Sequence, residues 1–325
     1  MSGARKRWSA RRARGEAELR LQAKNSRGVG NALAMGTAQA RALNLWHDRL
    51  GASGGMASAI RTEASLMTDP APLLLVFIAL AVFLGGSSVL FALDLDPVWS
   101  RVLFWSSATV ALAWALVRGS RVGVVSALAV LIAGLAMGLY TYDVSYDGPH
   151  YHLPASLELA QGLNLFRQPG TLIWTNIYPS GTWRLNAALL ASLPLINPGV
   201  VINLAASVLS GLLLLRLWRR SGHDLKVLEG LLILGVAFSP VVVAQMLSAM
   251  QDGLIASLFL CLAFLLAEET LPDGAPPMAS RLAAIGIALL MASAKTSGIA
   301  FVAAAFGIFG LYALILRAPH SNPCS

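Results

Sequence analysis

The residues that could do chemistry are concentrated in one polar segment, residues 143–184. This segment begins with two carboxylates, Asp143 and Asp147, and continues with two histidines, His150 and His152, in an H-x-H arrangement. It follows a long apolar run, so the carboxylates lie where a membrane span would end. A carboxylate at the edge of low-dielectric lipid ionises less readily unless it is paired, which suits a general base. Asp147 and Asp143 are therefore candidate catalytic residues.

Each of these residues also has a simpler explanation. Asp147 and Gly148 followed by Pro149 form an ordinary turn sequence. His150 and His152 could bind a divalent metal ion together with Asp147, but H-x-H alone is a weak signal. The two histidines fit hydrogen bonding or contact with a lipid phosphate equally well. We therefore predict no definite cofactor and keep a divalent metal as an option.

The middle of the polar segment predicts a short helix at the membrane surface. Pro154 suits the first turn of this helix, and Gly162 would end it after Gln161. Such a helix places Leu157 on one face and Glu158 on another, so it could lie along the interface. Three later aromatic residues fit either an interfacial belt or a surface that stacks on sugars: Trp174, Tyr178 and Trp183.

Two charged residues outside the polar segment stand between apolar runs. Asp252 precedes Gly253 at the start of such a run. It could be a helix N-cap worth about 1 kcal/mol, or a second functional carboxylate. Lys295 lies between the last two apolar runs. It would either reach the headgroups of many phospholipids or hold one specific phosphate.

The elements that must position these residues are apolar helices. Of the 325 residues, 56% are hydrophobic and only 12% are charged, which makes water-soluble enzyme folds poor candidates. A bilayer core needs about 20 helical residues. The sequence therefore predicts an all-α polytopic transmembrane bundle of about eight spans, with residues 143–184 as one long external loop containing the interfacial helix. The segments that meet or approach this length are 72–93, 102–117, 122–142, 198–215, 227–247, 254–267, 282–294 and 299–316. The apolar stretch 185–195 is too short to count.

The charge is distributed unevenly along the chain. Residues 1–70 carry +7 of the formal net charge of +8. We predict that they form a basic, disordered cytoplasmic tail that is solvated or rests on anionic lipids, with Met67 as an alternative start. Residues 71–317 would form the transmembrane domain and residues 318–325 a short tail. The basic residues then reflect the membrane topology and not nucleic-acid binding. The two cysteines are too few for a disulfide scaffold.

Basic residues in the predicted loops give an orientation. Eight Lys and Arg lie in loops on the side of the tail, against four in the other loops. The positive-inside rule then places the N-terminus in the cytoplasm and the functional loops outside. The polar segment, Asp252 and Lys295 would all lie on the external face.

Five short motifs in order resemble those of the GT-C superfamily of polytopic membrane glycosyltransferases. The similarity is greatest to bacterial members related to the protein mannosyltransferase and lipid A aminoarabinose transferase group, and it covers residues 125–305. The motifs are YDGPHYHLPA (146–155), LAQGLNLF (159–166), NIYPSGTW (176–183), QDGLIASL (251–258) and AKTSG (294–298).

The resemblance implies transfer of a sugar from a polyprenyl-phosphate carrier to an acceptor, at the outer face of the cytoplasmic membrane. Asp147 matches the catalytic acidic residue of that group, which acts as base or helps hold a metal, and Asp143 is the second choice. Asp252 matches a second acidic residue, and Lys295 matches the basic residue that binds the lipid phosphate. The other candidates for substrate binding are His150, Tyr151, His152, Glu158 and Tyr178.

The chain departs from that group in two ways. Three predicted spans precede the acidic loop instead of one, and the sequence ends soon after the eighth span. We therefore expect a short or C-terminally truncated member, or one half of a two-subunit enzyme. The alternatives are a transporter or flippase of lipid-linked sugars and a non-catalytic membrane subunit. A transporter would place ionisable residues inside its spans, whereas the predicted spans between 72 and 142 contain no charge.

Overall fold

The structure is a computed structural model that describes residues 69–95, 97–223, 225–249, 251–271 and 277–317. These residues form helices joined by turns, with no β-strand among them. The predicted all-α fold is therefore confirmed for this part of the chain. The predicted tail 1–70 lies outside the described residues except for its last two positions, and the short tail 318–325 lies outside them entirely.

Twelve α-helices follow one another in the described ranges. The helices before and within the polar segment are α1 (Ala71–Ala92), α2 (Pro97–Arg118), α3 (Arg121–Tyr140), α4 (Leu153–Ala160), α5 (Ile173–Ile177) and α6 (Gly181–Leu190). The later helices are α7 (Gly199–Arg220), α8 (Val227–Ala237), α9 (Pro240–Met246), α10 (Asp252–Glu268), α11 (Met278–Ala294) and α12 (Thr296–Arg317). A single π-helical turn, Gly148–His152, leads into α4.

Each of the eight predicted spans contains helix, but not every helix is long enough to cross a bilayer. In the described residues, α1, α2, α3, α7 and α12 meet the length and apolarity that a span needs, and α8 with α9 makes a sixth if the pair is one span. Helices α10 and α11 have 17 residues each. The apolar helices support a multi-pass membrane protein with five or six clear spans.

The predicted span 227–247 is two helices that meet at an angle of 50°. The break falls at Ser239 and Pro240. Proline has no backbone N–H to continue the helix, and it disfavours helical geometry at the residue before it. The Ser239 hydroxyl instead accepts a hydrogen bond from the amide of Val242, 3.4 Å away, and caps α9.

The core lies between α1, α7, α10 and α11. Its fully buried side chains interlock along the length of these helices, and small residues let neighbouring backbones approach. Gly134 of α3, for example, faces the backbone of Val201 on α7. The short helix α6 also contributes to the buried region, with Trp183 and Leu185 almost completely buried. The segment 185–195 therefore begins as the end of a ten-residue helix packed inside the protein.

A buried ion pair joins the ends of α7, α10 and α11. Arg216 donates from Nε to Glu268 Oε1 at 2.5 Å and from its terminal nitrogen to Glu268 Oε2. The Glu268 side chain is fully buried, and Ser280 accepts a further bond from Arg216 at 3.2 Å. Because α10 begins at Asp252 and ends at Glu268, the ion pair lies at the opposite end of this helix from Asp252.

Replacing Glu268 by glutamine should destabilise the bundle by about 2 kcal/mol, because charged hydrogen bonds are lost and Arg216 keeps an uncompensated charge. Thermal unfolding in detergent would show a lower midpoint. The matched control is Glu269→Gln, which breaks the exposed pair with Arg281 and should leave the midpoint unchanged. Equal midpoints for the two variants would contradict this role for Glu268.

Candidate functional site

A cavity of about 180 Å³ opens where the polar segment meets the start of α10 and the end of α11. Residues from three distant parts of the sequence therefore share one site. They include three charged residues that the sequence singled out: Asp147, Asp252 and Lys295. The remaining lining residues are Tyr151, His152, Tyr178, Trp183, Gln251 and Ala294.

The π-helical turn orients Asp147 and Tyr151. Asp147 immediately precedes this turn, and Pro149 lies at its start. The Tyr151 hydroxyl donates a hydrogen bond to the Asp147 carboxylate. Burial raises the pKa of Tyr151 far above its usual value, and the neighbouring Asp147 raises it further. Tyr151 therefore stays a neutral donor, and its hydrogen bond fixes the direction of the Asp147 carboxylate.

His152 is a neutral histidine at the floor of the cavity. Its side chain is buried, and Trp183 Nε1 donates to its Nδ1 at 2.8 Å. Burial lowers the pKa of His152 to about 4, although Asp147 and Asp143 act in the opposite direction. A neutral ring that accepts at Nδ1 carries its proton on Nε2. His152 can thus donate a hydrogen bond at neutral pH but cannot supply a positive charge.

The depressed pKa of His152 makes stability depend on pH. Between pH 6.5 and about 4, the unfolded chain binds a proton at this histidine and the folded protein does not. Stability should therefore fall as the pH decreases through this window. We expect the thermal midpoint of the wild type to drop more steeply between pH 7 and pH 4.5 than that of His152→Gln. Parallel curves for the two proteins would contradict the neutral, buried state of His152.

Lys295 and Asp252 form an ion pair at the mouth of the cavity. The Lys295 Nζ lies 2.5 Å from Asp252 Oδ1, and both side chains are partly exposed, at 38% and 51%. Lys295 has an extended backbone between α11 and α12. The turn after it is tight, because a Cβ at Gly298 would collide with the carbonyl of Met291. The N-cap position of α10 belongs to Gln251, so the prediction of Asp252 as N-cap is wrong. Asp252 is the first residue of the helix, and its side chain accepts a hydrogen bond from Lys295.

Gln251 ties the walls of the cavity together, and sequence reasoning missed it. Its buried amide bridges the Thr182 hydroxyl on α6, 2.5 Å away, and the carbonyl of Ala294 at the end of α11. In this orientation its oxygen also lies 3.3 Å from Trp183 Nε1. The only signal in the sequence was a polar residue next to Asp252 at the end of an apolar run.

Asp143 lies beside the cavity but does not line it. The carboxylate is buried and accepts two backbone hydrogen bonds, from Ser145 at 2.9 Å and from Ala249 at 2.6 Å. Gly148 lies so close to this carboxylate that a Cβ there would collide with it. Asp143 therefore joins the start of the polar segment to the turn before α10. It is a positioning residue in this structure.

His150 and Glu158 also lie away from the cavity lining. The exposed His150 ring stacks on Tyr146 with centroids 4.3 Å apart, and its Nδ1 lies 2.5 Å from the Tyr146 carbonyl oxygen. Glu158 of α4 accepts a hydrogen bond from the Thr171 hydroxyl. This bond holds the connection between α4 and α5 against α4. Both residues therefore act on the shape of the loop.

Aromatic rings form one wall beside Asp147. Trp174 and Tyr178 stack with their centroids 5.6 Å apart, and Tyr151 lies within 6.2 Å of both. Tyr178 and Tyr151 line the cavity. The wall combines flat apolar ring faces with hydroxyl groups, which fits contact with a sugar ring as well as with lipid headgroups.

A metal site of the kind considered for Asp147, His150 and His152 is not assembled. In the part of the chain that the structure describes, no three His, Cys, Asp or Glu side chains come together in a way that could hold a metal ion. His150 is exposed on Tyr146, whereas His152 is buried against Trp183.

No family model, no curated protein and no solved structure matches this chain. Its class therefore follows from the architecture alone. Long apolar helices around a buried core define a helical multi-pass membrane protein.

Proposed function

We propose that this protein is a membrane glycosyltransferase that uses a polyprenyl-phosphate-linked sugar as donor. The observation that carries the proposal is that Asp147 and Lys295 line one cavity at the end of an apolar helical bundle. A carboxylate that can accept a proton and a cation that can bind a phosphate thus meet in one cavity.

In the proposed reaction, the hydroxyl of an acceptor attacks the anomeric carbon of the sugar. The bond between that carbon and the phosphate oxygen breaks, and the new glycosidic bond forms. Asp147 takes the hydroxyl proton as general base. The polyprenyl phosphate leaves with the bonding electrons, and its negative charge is stabilised by Lys295.

Four neighbouring residues support Asp147 and Lys295. Asp252 holds Lys295 at the cavity mouth through the 2.5 Å ion pair. Tyr151 aims the Asp147 carboxylate through its hydrogen bond. His152 offers a neutral N–H donor for a sugar hydroxyl. Tyr178 gives the sugar a flat surface beside Asp147.

The finer topology belongs to the same proposal. We assign eight spans, with α8 and α9 as one broken span and the 17-residue helices α10 and α11 as short ones. At about 1.5 Å per residue each short helix covers roughly 26 Å, which a locally thinned bilayer accommodates. The N-terminus then lies in the cytoplasm and the cavity at the external face of the cytoplasmic membrane. The acceptor, and a second membrane subunit, would meet the protein at that face.

Binding of a radiolabelled polyprenyl-phosphate sugar to the purified protein in detergent tests the proposal. We expect saturable binding that the unlabelled polyprenyl phosphate displaces, because the lipid phosphate is the shared group. A flippase would bind the same lipid, but it would move the lipid across proteoliposomes without cleaving it. Absence of saturable binding by the wild type would contradict the proposed donor.

A further inference from the structure

Arg184 is a largely buried cation with no carboxylate partner among the described residues. It projects from α6 and donates from Nη1 to the Ser88 hydroxyl at 2.7 Å. Its guanidinium lies over the rings of Phe91 and Phe166, with 5.0 and 5.6 Å to their centroids. Its Nε is buried without a hydrogen-bond partner. The two aromatic rings and the Ser88 hydroxyl do not use all the N–H donors of Arg184, and they do not neutralise its charge. The position therefore favours binding of an anion.

Arg101 lines the same cleft. This cleft lies between α1, α2, α4 and α6, and its lining contains both arginines, Ser100 and otherwise apolar residues. No carboxylate of the described chain forms an ion pair with Arg101. The cleft thus contains two guanidinium groups and no acidic residue. This combination favours phosphate, because each guanidinium group can donate two parallel hydrogen bonds to the phosphate oxygens.

An apolar groove of about 230 Å³ is lined by the next turns of α1 and α2, and its Phe104 packs against Phe83 of the cleft. The cleft is lined by Phe83 of α1 and Arg101 of α2. The groove is lined by Ala79 of α1 and Trp105 of α2, each one helical turn away from the cleft residue on the same helix. One turn advances about 5.4 Å, so cleft and groove follow each other along α1 and α2. Trp105 is half exposed and donates to Ser192 at 2.9 Å beyond the end of α6. The groove therefore opens toward the lipid-facing side of α2.

We propose that cleft and groove together bind an anionic phospholipid of the surrounding bilayer. The headgroup phosphate lies between Arg101 and Arg184, and one acyl chain lies in the groove. Two unpaired cations select a headgroup with net negative charge, because a zwitterionic headgroup brings its own cation to the cleft. Neither cleft nor groove shares a lining residue with the cavity of Asp147. The proposal therefore does not depend on glycosyl transfer.

Native mass spectrometry of the full-length protein, released from detergent with added lipids, tests this site. We expect the wild type to retain phosphatidylglycerol about tenfold better than phosphatidylcholine. Arg101→Gln should lose most of this preference, and Arg101→Gln combined with Arg184→Gln should lose all of it. The matched control is Arg118→Gln, at the other end of α2, which should keep the preference of the wild type.

Three results would overturn the proposal. The first is equal retention of the two lipids by the wild type. The second is a full preference in Arg101→Gln, which removes a half-buried surface residue and should fold even if the double variant does not. The third is displacement of phosphatidylglycerol by far lower concentrations of polyprenyl phosphate or by inorganic phosphate. Failure of donor binding at the cavity would leave the phospholipid preference unchanged.

Discussion

Asp147→Asn should lower kcat for sugar transfer by about 10³-fold, equivalent to roughly 4 kcal/mol of transition-state stabilisation. Asparagine has the size of aspartate and can still accept the hydrogen bond from Tyr151, but it cannot take a proton from the acceptor. Binding of the donor should change by less than about threefold, since the amide fills the same space. The measurement is single-turnover transfer of a radiolabelled sugar, with donor binding measured in parallel.

The matched control for this experiment is Asp143→Asn. Asp143 accepts backbone hydrogen bonds from Ser145 and Ala249 and does not line the cavity. Its replacement should lower the thermal midpoint and leave kcat per folded molecule close to that of the wild type. If Asp147→Asn turned over like the wild type while folded Asp143→Asn did not, Asp143 would be the base and Asp147 would not.

Lys295→Met should lower kcat/KM by about 10²- to 10³-fold, because the charge that develops on the departing phosphate loses its cation. Methionine keeps most of the length and apolar character of the lysine stem. Donor binding should also weaken, since the lysine contacts the phosphate in the ground state as well. Lys295 is 38% exposed, so its effect on binding should decrease as ionic strength rises.

Two further variants separate a specific phosphate contact from general positive charge. Lys226→Met removes an exposed lysine before α8 and should leave transfer unchanged. Asp252→Asn breaks the ion pair but keeps the cation, so a loss of about tenfold is expected from poorer positioning of Lys295. Equal activity of Lys295→Met and the wild type would remove Lys295 from the mechanism.

The helices and the grouping of charged residues at one end of the bundle were within reach of the sequence. Apolar runs of sufficient length predict helices, and the alternating direction of successive spans decides which loops share an end. For this reason the sequence predicts Asp147, Asp252 and Lys295 on one face. The cavity that unites them also depends on Gln251, whose contacts with Thr182 and Ala294 join residues far apart in the chain.

The functions of Asp143 and Glu158 could not be predicted in the same way. Asp143 accepts a hydrogen bond from the amide of Ala249, 106 residues later, and no local pattern encodes such a contact. Glu158 accepts from Thr171 across a loop whose path depends on several turns. Residue type and spacing alone made both carboxylates resemble members of the site.

The bend between α8 and α9, in contrast, could have been predicted from the sequence. Pro240 interrupts the apolar run 227–247, and a proline inside a helical pattern ends or kinks the helix. Hydropathy counts this run as one span because proline changes its apolarity little. The ion pair of Arg216 with Glu268 could not be predicted, because Arg216 directly follows the predicted span 198–215, where an arginine is ordinarily a loop charge.

Release of polyprenyl phosphate during turnover is the direct test of the proposed glycosyl transfer. Purified wild-type protein in proteoliposomes would receive a polyprenyl-phosphate sugar labelled in both the lipid and the sugar, together with native envelope acceptors. We predict equal amounts of released polyprenyl phosphate and of sugar on the acceptor, and neither product with Asp147→Asn. Transport of the intact lipid without cleavage, or no reaction despite donor binding, would contradict the proposed glycosyl transfer.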